Sequence, residues 1–247
     1  MTDVTLLNTR PLAQQQETHD AFTQAGFKVI DFPCIDIQII PDSEPTIEQL
    51  NTIVPNDTLI FTSQHAVHYA FELCPQLSFN ENILITVGTK TAETLEQHCS
   101  CDIFIPKKQN SEGVIALLQG LKQLNTVHLI TAPEGREQIQ NFALKNNINL
   151  QQINVYQRTL PHISNHALEE IKQCHSLSVL ATSITTIKNL KQLVTEELWG
   201  KICTSTLICA SSRIENYAIQ QGFEKCYNSN TAKPSVIAEK IMGSMMK

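Results

Sequence analysis

Five short turns gather hydroxyl-bearing and small residues that could bind a ligand: Thr9-Arg10, Thr62-Ser63, Gly88 to Thr91, Thr182-Ser183 and Ser211-Ser212. Each follows a short apolar run and precedes an amphipathic stretch, so each is expected after a strand and at the start of a helix. Free backbone N–H groups point outward there, and the helix dipole favours anions. Serine and threonine add hydroxyl donors. The same residues are ordinary helix caps worth about 1 kcal/mol each, so any one turn need bind nothing. Five of them around a common cleft can hold a ligand with many carboxylates.

Tyr156 stands apart, in the extended run Asn154-Val155-Tyr156-Gln157-Arg158. On a strand that links two domains its hydroxyl can reach into a cleft; it can equally fill the seam between them. Other constellations are weaker. His65 and His68 have helical i, i+3 spacing that a metal could use, but solvated or half-buried histidines explain them better than a metal does. Cys99-Ser100-Cys101 follows His98 without the four ligands of a zinc site. The remaining cysteines, Cys209 among them, fall in or near apolar runs and read as buried reduced thiols. Lys90 and Lys107 can be nucleophiles, yet nothing marks either. The sequence holds no G-x-G-x-x-G, no Walker loop and no G-x-S-x-G elbow, and no Asp/Glu pair stands out as an acid–base couple.

The formal net charge is −6, and the arginines are Arg10, Arg136, Arg158 and Arg213. No basic cluster exceeds Lys107-Lys108, so a nucleic-acid partner is not expected. The acidic balance also works against long-range attraction of an anion, which local groups must then hold. No run approaches the ~18 apolar residues of a membrane helix, so no membrane partner is expected. Met1 to Arg10 does not read as a signal peptide, and the expected location is cytoplasmic.

The elements that must position these turns repeat one theme. A short apolar run leads into a small-residue turn and then a helical face, from Val4–Leu7 to a final helix starting near Ser235. Runs of this kind with helical crossovers predict parallel sheets covered on both faces, an α/β class. Pro11 fits a first helical position and Gly26 a helix end. Val67, Ala70, Phe71 and Cys74 share an i, i+3, i+4, i+7 face. Two longer extended segments, Pro33–Ile40 and Leu150–Arg158, interrupt the pattern. Between them lie about four strand–helix units, and outside them lie one at the N-terminus and three at the C-terminus; a parallel sheet needs several neighbouring strands, so the outer pieces most simply join. The expectation is a discontinuous domain, residues 1–36 with 160–247, and an inserted domain, 37–159. The two crossings form a two-stranded linker. A weak internal repeat supports two similar doubly wound halves: Thr58–Ser63 resembles Ser178–Ser183. Ligands of such sheets bind beyond the carboxyl ends of the strands.

With these residues in order, the chain resembles uroporphyrinogen-III synthases. The resemblance rests on Thr9-Arg10-Pro11, Phe32-Pro33, Phe61 to Val67, Gly88 to Ala92, Gly135-Arg136-Glu137, Val155 to Arg158, Thr182-Ser183 and the Ala210–Arg213 turn. It covers essentially the whole chain. It implies two α/β domains, one discontinuous, and hydroxymethylbilane as substrate. The enzyme class implied is a lyase that closes the ring with loss of water and inverts the last pyrrole through a spiro intermediate. It implies no metal or organic cofactor, and a monomer is expected. Tyr156 matches a tyrosine thought to assist departure of the hydroxyl as a general acid; a phenol is protonated at neutral pH and can donate. Thr9, Arg10, Ser63, Gln64, Gly88, Thr91, Thr182, Ser183 and Ser211 match binding positions. Ser211-Ser212-Arg213-Ile214 departs from the Gly-x-Thr-Thr-type turn of many members. The linear substrate also closes spontaneously without inversion, so the catalytic demand is orientation more than acid–base power.

Two other classes remain at this point. A cytosolic two-lobed binding or sensor protein shares the double crossover, and ligand binding without product formation is its mark. A Rossmann oxidoreductase shares the sheets but lacks the glycine fingerprint.

Overall fold

A computed structural model describes residues 4–121, 123–133 and 137–245. Gly135 and Arg136 therefore lie outside the described residues. The chain divides into two compact units: its N-terminal part through Ile37 together with the part from Thr159 onward, and Gln38–Arg158.

In the discontinuous unit, β1 (Thr5–Asn8), α1 (Gln15–Gln24) and β2 (Lys28–Asp31) come first. Later follow α7 (Asn165–Gln173), β10 (Leu177–Ala181), α8 (Ile184–Leu193) and α9 (Glu196–Cys203). The unit ends with β11 (Thr206–Cys209), α10 (Ser212–Gln220), β12 (Lys225–Asn228) and α11 (Pro234–Met245). Its five strands order as β12-β11-β10-β1-β2, all parallel. Alternation along the strands sends Leu6, Leu180 and Ile208 to one face, with Phe22 of α1 and Ile237 of α11. Leu7, Val179 and Leu207 fill the other face with Ile187 and Ile202. Both faces are covered, which is why every residue of β1 and β10 is buried and neither strand alternates with an exposed side.

The second unit runs α2 (Glu44–Asn51), β4 (Thr58–Phe61), α3 (Gln64–Leu73), β5 (Ile83–Thr86), α4 (Thr89–Leu95) and β6 (Ile103–Phe104). It continues with α5 (Ser111–Gly120), β7 (Val127–Thr131), α6 (Gln138–Lys145) and β8 (Leu150–Asn154). Its order is β6-β5-β4-β7-β8, again all parallel. Val67, Ala70 and Cys74 on the predicted α3 face are fully buried. Ile60, Ile85 and Leu129 pack on the opposite side against Val114, Leu118 and Ile139.

The two sheets share one plan. From a central strand, β10 or β4, two more strands run outward in sequence order on one side, β11-β12 or β5-β6. The other two, β1-β2 or β7-β8, lie on the other side. The repeated segments Thr58–Ser63 and Ser178–Ser183 thus include the central strands and the turns that follow them.

Three local expectations change. Leu150–Arg158 is not one extended strand. β8 pairs with β7, while β9 (Tyr156–Thr159) pairs with β3 (Asp36–Ile39). Val155 joins both ladders: its N–H donates to Thr131 at 3.0 Å and its carbonyl accepts from Ile40 at 3.3 Å. Pro11 does not open α1, because its extended backbone (φ −50°, ψ 145°) leads first into a 3-10 turn, Leu12–Gln14. Helices α7 and α9 were not singled out from the pattern, although Ser164 and Thr195 cap them through their side chains. Gly26 ends α1 at φ +87°, the left-handed conformation that favours glycine.

Candidate functional site

In the discontinuous unit the winding reverses between β10 and β1, which leaves a crevice at their carboxyl ends. Thr9, Arg10, Thr182 and Ser183 all follow these two strands. Thr9 is fully buried and its hydroxyl donates to the Leu180 carbonyl, so that hydroxyl is committed to joining β1 to β10. Arg10 Nη1 donates to Thr182 Oγ1 at 2.9 Å, and Nη2 donates to Gln14 Oε1. Its Nε is buried and has no partner among the described residues. Burial lowers the Arg10 pKa, partly offset by Glu17, but a guanidinium stays charged throughout the physiological range. Asn8 holds this corner. Its Nδ2 donates to Asp31 Oδ1 at 2.7 Å and to the Gln15 carbonyl at 3.1 Å, while its Oδ1 accepts from the Arg10 amide at 3.4 Å. Asp31 also meets His19 at 2.7 Å.

Ser183 caps α8, accepting from the Thr186 amide at 3.1 Å. Ser211 stands at the N-cap of α10 but makes no side-chain cap bond. In the divergent turn after it, Asn228 Nδ2 donates to Ser212 at 3.1 Å and to Glu215 at 3.2 Å.

In the second unit the reversal lies between β4 and β7. Thr62 Oγ1 donates toward Thr131 Oγ1 at 2.9 Å across it. Ser63 caps α3, accepting from the Ala66 amide at 3.1 Å. The same Ser63 oxygen lies 3.0 Å from the Tyr156 hydroxyl. Tyr156 is 1% exposed, one of the largest fully buried side chains among the described residues. Its ring stacks with Tyr69 at 6.1 Å and lies 5.9 Å from His65. Arg158 Nη2 donates to the Tyr156 oxygen at 3.4 Å, and the guanidinium carbon sits 5.6 Å from the ring centroid. A hollow of about 200 Å³ opens beside them, lined by Thr62, Ser63, Thr131, Gln140, Tyr156 and Arg158 among others. Burial, then the charges of Arg158 and His68, depress the His65 pKa, so its imidazole is neutral at pH 7.

The other matched positions in this unit have local tasks. Gly88 is the N-cap of α4 with extended backbone, and a Cβ there would meet Gln109 Oε1 at 2.8 Å. Gln109 already occupies that turn, accepting from the Thr89 amide at 3.3 Å and donating to its hydroxyl at 2.7 Å. Thr91 is buried, and its amide returns to Gly88 at 3.1 Å. Gln64 is exposed and donates to Thr94 at 3.1 Å. Lys90 and Lys107 are exposed. His68 meets Glu72 at 3.3 Å on the same helix. Among the described residues no group of three or more His, Cys, Asp or Glu side chains can hold a metal ion. No described helix is long and apolar enough to cross a membrane.

Sequence reasoning did not single out Asn8, Thr131 or Arg158 as parts of these corners. Arg158 had a signal, since residues two apart on a strand share a face and Tyr156 was already marked.

The fold and these corners define an α/β protein with two like parallel sheets, each carrying hydroxyl-bearing helix starts at its carboxyl edge. A family model described as uroporphyrinogen-III synthase HemD matches residues 16–238. The uroporphyrinogen-III synthase of Synechococcus elongatus is 26% identical over 200 residues, covering 78% of this chain and 76% of that protein. A porphyrin biosynthesis protein HemD of Ruminiclostridium josui is 21% identical over 157 residues, 61% of this chain but only 31% of that longer protein. Among solved structures, uroporphyrinogen-III synthetase from Helicobacter pylori aligns over 100% of both chains with TM-score 0.63 and 20% identity. A mutant synthase from Thermus thermophilus aligns over 99% of both with TM-score 0.62 and 12% identity. At these identities the structural likeness speaks for the fold. The chain belongs to the uroporphyrinogen-III synthase family, an enzyme family of haem biosynthesis classed among the lyases.

Proposed function

We propose that this chain is itself a uroporphyrinogen-III synthase, converting hydroxymethylbilane to uroporphyrinogen III with loss of water and inversion of the last pyrrole ring. The observation that carries the reading is the Tyr156 phenol, buried at the start of β9 and held 3.0 Å from Ser63, which follows the carboxyl end of β4. A buried phenol beside a hollow can protonate a departing hydroxyl while water is kept from the reacting carbon. The reaction is a condensation. Substrate equals product plus water, so no electrons change hands and no redox cofactor is called for.

Arg10, Thr182, Ser183, Ser211, Ser63, Gln64 and the Gly88 turn are proposed to hold the substrate's carboxylates. Thr9 and Thr91, both buried, support that task by fixing the turns they occupy. Local donors of this kind offset the repulsion expected from a net charge of −6. The proposed working form is a cytoplasmic monomer.

Purified protein given hydroxymethylbilane, without added metal, should yield the type III isomer. Type I product alone, or binding with no product, would overturn the proposal; the latter outcome favours a two-lobed binding protein.

A further inference from the structure

We propose that Arg158 carries the charge left on Tyr156 when the phenol gives up its proton. The inference rests on the reading of Tyr156 as the proton donor.

The Tyr156 O–H bond breaks and its proton joins the departing hydroxyl. The C–O electron pair leaves with water, the pyrrole nitrogen feeds electrons to the methylene carbon, and a phenolate remains beside a cationic pyrrole. After ring closure the attacked ring sheds a proton, which restores the phenol.

A phenolate at a site only 1% exposed needs partners, because an uncompensated buried charge is costly. Two groups flank the phenol oxygen. Ser63 lies 3.0 Å away, and either oxygen of that pair can be the donor, so Ser63 can turn its proton toward a phenolate. Its own oxygen stays fixed by the Ala66 amide at 3.1 Å. Arg158 donates from 3.4 Å, a long bond to a neutral phenol that is expected to shorten once the oxygen is charged. The two residues are held together by strand geometry: positions 156 and 158 of β9 share one face. Arg158 itself is exposed, while its Nη2 reaches the buried oxygen. Its charge is felt at this corner, since it is one of the causes that keep the neighbouring His65 neutral, after burial.

The competing role for an exposed arginine here is a direct grip on a substrate carboxylate. The two differ in kinetics. A group acting through the phenol changes kcat and does nothing once the phenol is gone, whereas a carboxylate anchor changes KM with or without the phenol.

The test compares Arg158→Met and Arg158→Lys, each alone and combined with Tyr156→Phe, in steady-state turnover of hydroxymethylbilane. Arg158→Met is expected to lower kcat roughly tenfold, the low end for a charged hydrogen bond near solvent, with KM within about twofold. Arg158→Lys should recover part of the loss, because a charge remains. In the Tyr156→Phe background neither change should matter. An equal loss in both backgrounds, or a rise in KM at constant kcat, overturns the proposal and assigns Arg158 to carboxylate binding. Full speed in Tyr156→Phe alone, with Arg158 intact, removes the donor and the role of Arg158 with it, so the two failures are told apart. Denaturant unfolding of each variant separates either result from loss of the fold.

Discussion

Replacing Tyr156 by Phe removes one oxygen and leaves the ring. The packing against His65 and Tyr69, at 5.9 and 6.1 Å, is retained. Two polar contacts disappear: Ser63 at 3.0 Å and Arg158 at 3.4 Å. One neutral buried hydrogen bond is worth about 1 kcal/mol net, and a Ser63 proton left without a partner costs about 1 kcal/mol more. Arg158 is exposed, so the contribution of its bond to the phenol is small. The total is about 2 kcal/mol, set against the ~5–15 kcal/mol of an ordinary folded protein. At least ~3 kcal/mol then remains, which keeps more than about 99% of the molecules folded. Unfolding therefore cannot lower the rate measurably. Loss of a general acid lowers the chemical step by about 100-fold or more. The assay is single-turnover conversion of hydroxymethylbilane, with the two isomers separated and counted. Because the substrate also closes unaided to type I, the variant's product should shift toward that isomer as the catalysed path slows. A variant that keeps kcat within about twofold, with type III still dominant, refutes the assignment.

Three further outcomes follow from the same geometry. Asp57 and His128 form a pair 2.9 Å apart, 3% and 1% exposed, at the amino end of the second unit's sheet. Asp57→Ala strips His128 of that partner when its Nδ1 already has none among the described residues, and should lower stability by about 1–3 kcal/mol in urea unfolding; a change below about 0.5 kcal/mol would refute it. Ser183→Ala removes a cap bond and should cost about 1 kcal/mol of stability. Ser211→Ala removes none and should leave stability within about 0.5 kcal/mol, while raising KM if Ser211 holds substrate; equal unfolding midpoints for the two variants would sink the contrast. Burial, ahead of other causes, pushes the Cys99 and Cys209 thiols up to about 11. Raised values deplete the thiolate, so at pH 8 only on the order of one in a thousand of these groups is reactive. Iodoacetamide labelling at that pH should be slow and should accelerate toward pH 10; rapid labelling of either residue at pH 7 contradicts this.

Much of the architecture was legible because its signals are local. A strand buried on both faces is largely apolar without alternation, so Thr58–Phe61 and Leu177–Ala181 announce themselves. A helix start is favoured by a side chain that accepts from its free amides, and Ser63 and Ser183 supply one. Leu150–Arg158 misled because extended residues look alike whichever ladder they join. Only Val155, bonded to Thr131 on one side and to Ile40 on the other, divides β8 from β9.

The sequence by itself determined the α/β class, the resemblance to the family, and the set of turns that carry hydroxyls. The tertiary structure decided what each hydroxyl does. Thr9 looked like a free donor but is tied to Leu180, 171 positions away. Ser63 meets Tyr156 across 93 positions, and Asp57 meets His128 across 71. The physical reason is strand order. A run of alternating strands and helices is compatible with several orders in a parallel sheet, all with right-handed crossovers. Which side chains face one another at the carboxyl edge depends on the order adopted. Here β10 lies beside β1, and β4 beside β7, and those adjacencies join Arg10 to Thr182 and Thr62 to Thr131.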